Sequence, residues 1–297
     1  VPEPPAVGPL KTMSTIAHHY VPQFYLRHFA KKRRNKFYLW CLDKTTEKTF
    51  RSNPKNLAQE TGFYDIRTIN GEDITLEEYL SKLETKFGVA LENLCKNPTT
   101  KGLTPNIDDM SLFVACQMIR TPILHKEIND ASNELNRRLQ KDHVQIPLSS
   151  PDELKQIQAS MIVENAPIMA KVLSEMMWII LHNESKVPFF TSDNPVIKYN
   201  PLNDGVTGNL GLLSEGIQIY FPISPTHALI ICDKRQYFTS KTEIKASSQN
   251  IEFVNSGQVL FSQRYIYSSN NNFDLAIDML KKSPDLADPN RMRVIIK

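Results

Sequence analysis

"MMWIILHNESKVPFFTSDNPVIKY", residues 176–199, is where the hydrophobic period of the chain changes. Upstream, apolar residues recur at three- and four-residue steps, the spacing of helices. From Trp178 onward they run continuously, as in buried strands. "WIILH" is far too short for a membrane span and suits a buried strand. "VPFFTSDNPVIKY", "GIQIYFPIS" and "HALIICD" follow as β-rich runs joined by turn residues, and their spacing predicts an antiparallel sheet.

Working toward the N-terminus, Leu80, Leu83, Phe87, Leu91 and Leu94 predict a helix over residues 76–96, with Thr75 and Glu78 as a capping box. A second helix is expected over 108–121, broken at Pro122 and resuming to about residue 142. A third begins at "SPDE", with Ser150 as cap, Pro151 in the first turn and Glu153 closing the box, and runs to about residue 176. Ahead of these, the basic turn "KKRRN" and the alternation around Phe37, Leu39 and Cys41 predict a hairpin, and "GFYDI" adds a short strand. After the sheet, helical character is expected over about 241–265 and again near "FDLAIDML". The expected fold class is α+β: an N-terminal β-hairpin region, a long-helix bundle, a small antiparallel sheet and C-terminal helices. No alternating strand–helix run of the Rossmann kind is present. Residues 1–12, rich in proline, read as a leader or cloning remnant. Residues 13–297 read as a single domain starting at Met13, with a helical subdomain over 76–176.

The chain has 297 residues, 41% hydrophobic and 23% charged, which places it among ordinary globular proteins. Its net charge of +3 is too small to argue by itself for a nucleic-acid partner. Cys41, Cys95, Cys116 and Cys232 lie far apart without metal-ligand spacing, so they read as reduced thiols of a cytoplasmic protein. No apolar run reaches membrane-span length. There is no phosphate loop, dinucleotide fingerprint, HExxH, CxxC or GxSxG, and only ten glycines in all, which excludes a kinase or P-loop enzyme. "PDELK", residues 151–155, has the composition of a nuclease signature. Its acids are contiguous in the first turn of a capped helix, where capping explains them.

Four segments place polar residues where the pattern predicts burial. The first is His18, His19, Gln23 and Arg27. The second is Gln117 and Arg120, three apart on an apolar helix. The third is Thr191, Ser192, Asp193 and Asn194 at a strand-to-turn junction, and the fourth is Asn255 with Gln258. Singly, each has a structural reading: histidines bonding carbonyls, Arg120 paired with Asp193, turn chemistry at "SDNP", strand capping by Asn255 and Gln258. Together they would be costly to desolvate unless they form one satisfied network, and such networks often line sites.

"HHYVPQFYLRHFA", "RTP" at 120–122, "FFTSDNPV" and "FPISP" at 221–225 resemble, in order, the mainly bacterial domain of unknown function 4238 family, over nearly the whole chain from Met13. The resemblance implies that these segments form one family pattern and that some members sit among anti-phage defence genes. It carries no activity, fold or ligand with it. "HHYVP" also resembles the opening of the His-Asn-His nuclease motif, with an asparagine in "KNLAQ" at 55–59, but no further histidine follows before His125.

Two function classes follow. In a phosphodiesterase or nuclease, His18 and His19 supply acid–base chemistry, and Asp193 orients a ring or binds a divalent metal. Arg27 and Arg120 clamp a phosphate, and Gln23, Gln117, Ser192, Asn194, Asn255 and Gln258 bind substrate. The expected partners are then nucleic acid or a phosphorylated ligand. In a non-catalytic ligand- or partner-binding module, the same residues form a binding or structural network.

Overall fold

The computed structural model describes residues 17–67, 73–139, 145–202 and 210–292. Residues 1–12 and Met13, read above as a leader and a start, lie outside the described residues. The chain opens with β1 (Ala17–His19) and α1 (Gln23–Arg27). β2 (Lys31–Arg33), β3 (Lys36–Asp43) and β4 (Lys48–Ser52) then form consecutive hairpins. The two residues between β2 and β3, Arg34 and Asn35, have φ of 46° and 60°. That is the left-handed pair a two-residue hairpin loop requires. β5 (Gln59–Thr61) pairs with β1, and β6 (Asp65–Arg67) with β7 (Asp73–Thr75).

The helical layer comprises α2 (Glu77–Lys96), α3 (Thr100–Leu103), α4 (Ile107–Ile119) and α5 (Ile123–Leu139), then α6 (Pro151–Ser160) and α7 (Ala166–Ser174). The break at Pro122 falls between α4 and α5, as the sequence predicts. The capping box of Ser150 and Glu153 forms as read from "SPDE". The third helix is not continuous, however. A π-turn over Met161–Asn165 separates α6 from α7. Pro167 lacks an N–H and its ring presses on the preceding turn, so the helix widens just upstream of it. The helix start expected from Thr75 and Glu78 shifts by one residue: Thr75 Oγ1 accepts the Glu77 N–H. Leu76 is the cap, its N–H bonded to the Tyr64 carbonyl, and Glu78 pairs with Lys82 instead.

Past α7 come β8 (Met177–His182), β9 (Thr191–Ser192), β10 (Ile197–Tyr199), β11 (Gln218–Ser224), β12 (His227–Cys232) and β13 (Glu243–Lys245). α8 (Ser248–Phe261), β14 (Tyr265–Ser268) and α9 (Asp274–Lys282) follow. The fold is α+β. One five-stranded sheet has the order β10-β11-β12-β8-β13, antiparallel except for β13, which pairs parallel with β8. In the other, β3 joins β2, β4 and β14, and β14 carries β9. The helix expected over 241–265 is shorter and flanked by strands. Ser247 and Asn250 form a capping box that starts α8 late, and the β-prone Tyr265–Ser268 pairs with β3 and β9.

Alternation along β8, β11 and β12 sorts two cores. Ile180, Phe221, Leu229 and Ile231 face the helical layer and join a core with Phe87, Phe113 and Leu173. Leu181 and Ala228 face the other way, onto Ile251 and Val254 of α8. β8 is covered on both faces, which is why "WIILH" is a continuous apolar run. Truncating it tests this arrangement. Ile180→Ala is expected to cost roughly 2–5 kcal/mol, since the surrounding layers are too constrained to close the cavity. The measurement is the urea midpoint at unchanged m-value.

Candidate functional site

The extended start of the chain is pinned by α4. His18 is 1% exposed. The Tyr64 N–H donates to its Nδ1 at 3.0 Å, and its Nε2 lies 3.9 Å from Asp65 Oδ1. The ring also stacks on Tyr64. A ring nitrogen that accepts a backbone N–H carries no proton, so the tautomer is set by Tyr64. His19 points outward and is half-buried, with Nε2 3.1 Å from the Lys55 carbonyl. Burial lowers its pKa below the ordinary histidine value, against the opposing pull of the Lys55 carbonyl and Glu84.

Arg120 is 1% exposed, as its place in an apolar stripe predicts. Its Nη2 donates to the His19 carbonyl and to Glu84 Oε1, both at 2.7 Å, and its Nε donates to the Tyr64 hydroxyl at 3.1 Å. The carboxylate partner is therefore Glu84, 27% exposed at the rim, and not Asp193. One turn earlier, Gln117 Nε2 donates to the Tyr20 carbonyl at 3.0 Å. Gln117 in the last turn of α4 and Arg120 at its C-cap thus hold consecutive carbonyls of "HHYVP". Gln23 and Arg27 stand one turn apart on α1, as expected, but outside this cluster. Arg27 is exposed, bonds Gln23, and lies over the Phe37 ring. Arg27 and Arg120 therefore form no shared phosphate clamp.

The "TSDN" turn belongs to a second cluster. Asp193 is buried, and its carboxylate accepts the backbone N–H groups of Gln263, Arg264 and Tyr265, each at 2.7 Å. Burial pushes its carboxyl up, while the three N–H groups and Lys44 pull it down. Ser192 Oγ donates to Gln258 Oε1 at 2.7 Å, and Gln258 Nε2 donates to the Pro195 carbonyl. Asn255 accepts the Phe190 N–H and donates to the Pro188 carbonyl. Asn194 donates to the Phe261 carbonyl and accepts from Thr121. Nearly every partner here is backbone of the irregular segments on either side of β9 or at the end of α8.

The single site expected from the sequence is thus two clusters. The rings of His18 and His19 bond residues 55–65, while Asp193 bonds 263–265. The chain joins the clusters through the adjacent Arg120 and Thr121, the latter bonded to Asn194. The reason is chemical: both segments end apolar runs, but each polar group meets the backbone donors or acceptors nearest to it. Sequence reasoning missed Tyr64, Glu84 and Lys44. Glu84 interrupts the Leu80–Phe87–Leu91 stripe of α2, the same signal that exposed Gln117 and Arg120. Among the described residues no group of three or more His, Cys, Asp or Glu side chains is placed to hold a metal ion. A recess of about 450 Å³ beside Trp178 and Phe238 and a shallower one of about 530 Å³ along α2 are lined by neither histidine nor by Asp193.

The family model described as "Protein of unknown function (DUF4238)" matches residues 17–272, from β1 to just before α9. The chain belongs to this family. Both clusters lie within the matched span. No curated protein and no solved structure matches the chain. Among the described residues, no helix is long and apolar enough to cross a membrane.

Two measurements check the roles assigned. Asp193→Ala leaves three N–H groups of half-buried residues unpaired and is expected to cost roughly 3–5 kcal/mol by urea unfolding. His19 has its folded pKa depressed, as burial also does for His28, His125 and His227. The unfolded chain therefore takes up these protons first. Stability is expected to be full above about pH 7 and to fall as pH drops through about 6.5. His19→Gln should flatten part of that slope.

Proposed function

We propose that the protein is a non-catalytic binding module, with the two polar clusters acting as internal locks. The observation that carries this reading is Asp193: its carboxylate accepts three backbone N–H groups and is closed off from solvent, so it is committed to the fold rather than turned toward a substrate or metal. His18, with Nδ1 on the Tyr64 N–H, supports the same reading. The four unpaired thiols support a cytoplasmic location. A setting in bacterial anti-phage defence is proposed on the family resemblance alone.

One observation favours a second reading, phosphodiester hydrolysis with His19 as base. A neutral ring donating through Nε2 to the Lys55 carbonyl keeps a lone pair on Nδ1, as a general base requires. The test is a turnover screen on single- and double-stranded DNA and RNA with magnesium, manganese or zinc, comparing wild type with His19→Ala. The binding-module reading expects no difference between the two. Cleavage by wild type that His19→Ala abolishes, with the thermal midpoint kept, would overturn it and establish the second reading.

A further inference from the structure

The clusters face inward, but the charge of the molecule is concentrated elsewhere. Residues 27–55 carry ten Lys/Arg and two Asp/Glu, whereas the whole chain nets only +3, so the remainder is acidic. Lys44 is buried on the Val259 and Ser262 carbonyls, and Asp43 pairs with Arg264. Most of the other cations are exposed on β2, β3, β4 and their turns.

Register decides which face each presents. Lys31 stands opposite Tyr38, Arg33 opposite Lys36, and Arg51 opposite Trp40. Opposed residues share a face, as do alternate residues along a strand. Lys36, Tyr38 and Trp40 therefore line one face of β3, together with Lys31 and Arg33 of β2 and Arg51 of β4. The Arg51 guanidinium, 5.3 Å from the Trp40 ring centroid, agrees with that placement. Tyr38 and Trp40 are half-buried, Trp40 packing its inner side on the core of Leu42, Phe190 and Phe273, and the four cations are exposed. None of the four has an ion-pair partner among the described residues.

Partly open aromatic rings two residues apart, interleaved with exposed cations on one sheet face, form a stacking platform beside a phosphate track. Bases are available for stacking in a single strand and hidden in a duplex. The exposed loop of that hairpin, Arg34–Asn35, offers no apolar residue to enter a bilayer, which disfavours a lipid surface. We propose that this face of the β2–β3–β4 sheet binds single-stranded nucleic acid, with Tyr38 and Trp40 against bases and Lys31, Arg33, Lys36 and Arg51 on phosphates. The proposal rests on the binding-module reading and names its partner. The two fail separately, because turnover sinks that reading and absent binding sinks this one.

The test is fluorescence anisotropy of the full chain with short labelled single-stranded RNA and DNA, the matching duplex, and vesicles containing phosphatidylserine. Single strands are expected to bind more tightly than duplex at low salt, with affinity falling as salt rises. Lys31→Gln/Arg33→Gln/Lys36→Gln, all at exposed positions, should weaken binding at least about tenfold and reduce the salt slope by about 2. Tyr38→Leu should weaken single strands by about fivefold or more with the slope unchanged, while Tyr38→Phe, which keeps the ring, should not. The proposal is overturned by no oligonucleotide binding, by equal binding of the folded triple variant, by duplex bound as tightly as single strand, or by binding to vesicles alone.

Discussion

Three backbone N–H groups of residues 263–265 converge on one carboxylate, and much of the second half of the chain hangs on that contact. The chain leaves α8 and enters β14 within a few residues, too tightly for those amides to find helix or strand partners. Asp193 satisfies all three at once from the turn that follows β9. A strand of only two residues is thereby fastened to β14. Hydrogen bonds to a charged acceptor are worth about 1.5–3 kcal/mol each, so the set outweighs anything β9 gains from its own ladder. Asn255 and Gln258 extend the device, meeting the backbone of Phe190, Pro188 and Pro195. Irregular buried backbone must be satisfied by something, and here side chains on α8 do it.

Arg120 applies the same solution in the neighbouring cluster, one residue before the Thr121 that bonds Asn194. The ion pair with Glu84 contributes little net stability compared with an apolar replacement, because the Arg120 guanidinium is taken out of water to form it. What it supplies is geometry. The guanidinium also holds the His19 carbonyl, and Gln117 holds that of Tyr20, so the extended opening is fixed to α4 at two successive residues. Adjacent histidines make sense in that setting. The strand alternation turns His18 in, where its Nδ1 receives the Tyr64 N–H, and His19 out, toward the Lys55 carbonyl.

Much of the fold was legible because burial writes its period into the sequence. The switch at Trp178, the Ser150 cap and the break at Pro122 are all local signals. What failed was also local: residues 241–265 contain no proline to mark where β13 ends and β14 begins, and their apolar spacing fits a helix nearly as well. For the site, a polar residue in an apolar stripe correctly announces burial at Arg120, Gln117, Asn255 and Gln258. It does not say whether the buried group will face a ligand or backbone. Lys44 shows the limit, since "DKTTE" reads as a surface turn. Its ammonium is buried only because carbonyls at the end of α8, more than two hundred residues later in the chain, arrive beside it.

The distinction between inward and outward polarity bears on function. A buried group already bonded to backbone can engage a ligand only by giving up those bonds, so the two clusters have little free energy to offer a partner. The hairpin sheet is in the opposite condition. Among the described residues no carboxylate pairs with Lys31, Arg33, Lys36 or Arg51, an arrangement that is self-repelling in the free protein. A polyanion relieves that repulsion and releases its own counterions in doing so. The modest net charge of the chain conceals this, because the acidic remainder cancels in the sum what it does not neutralise in space.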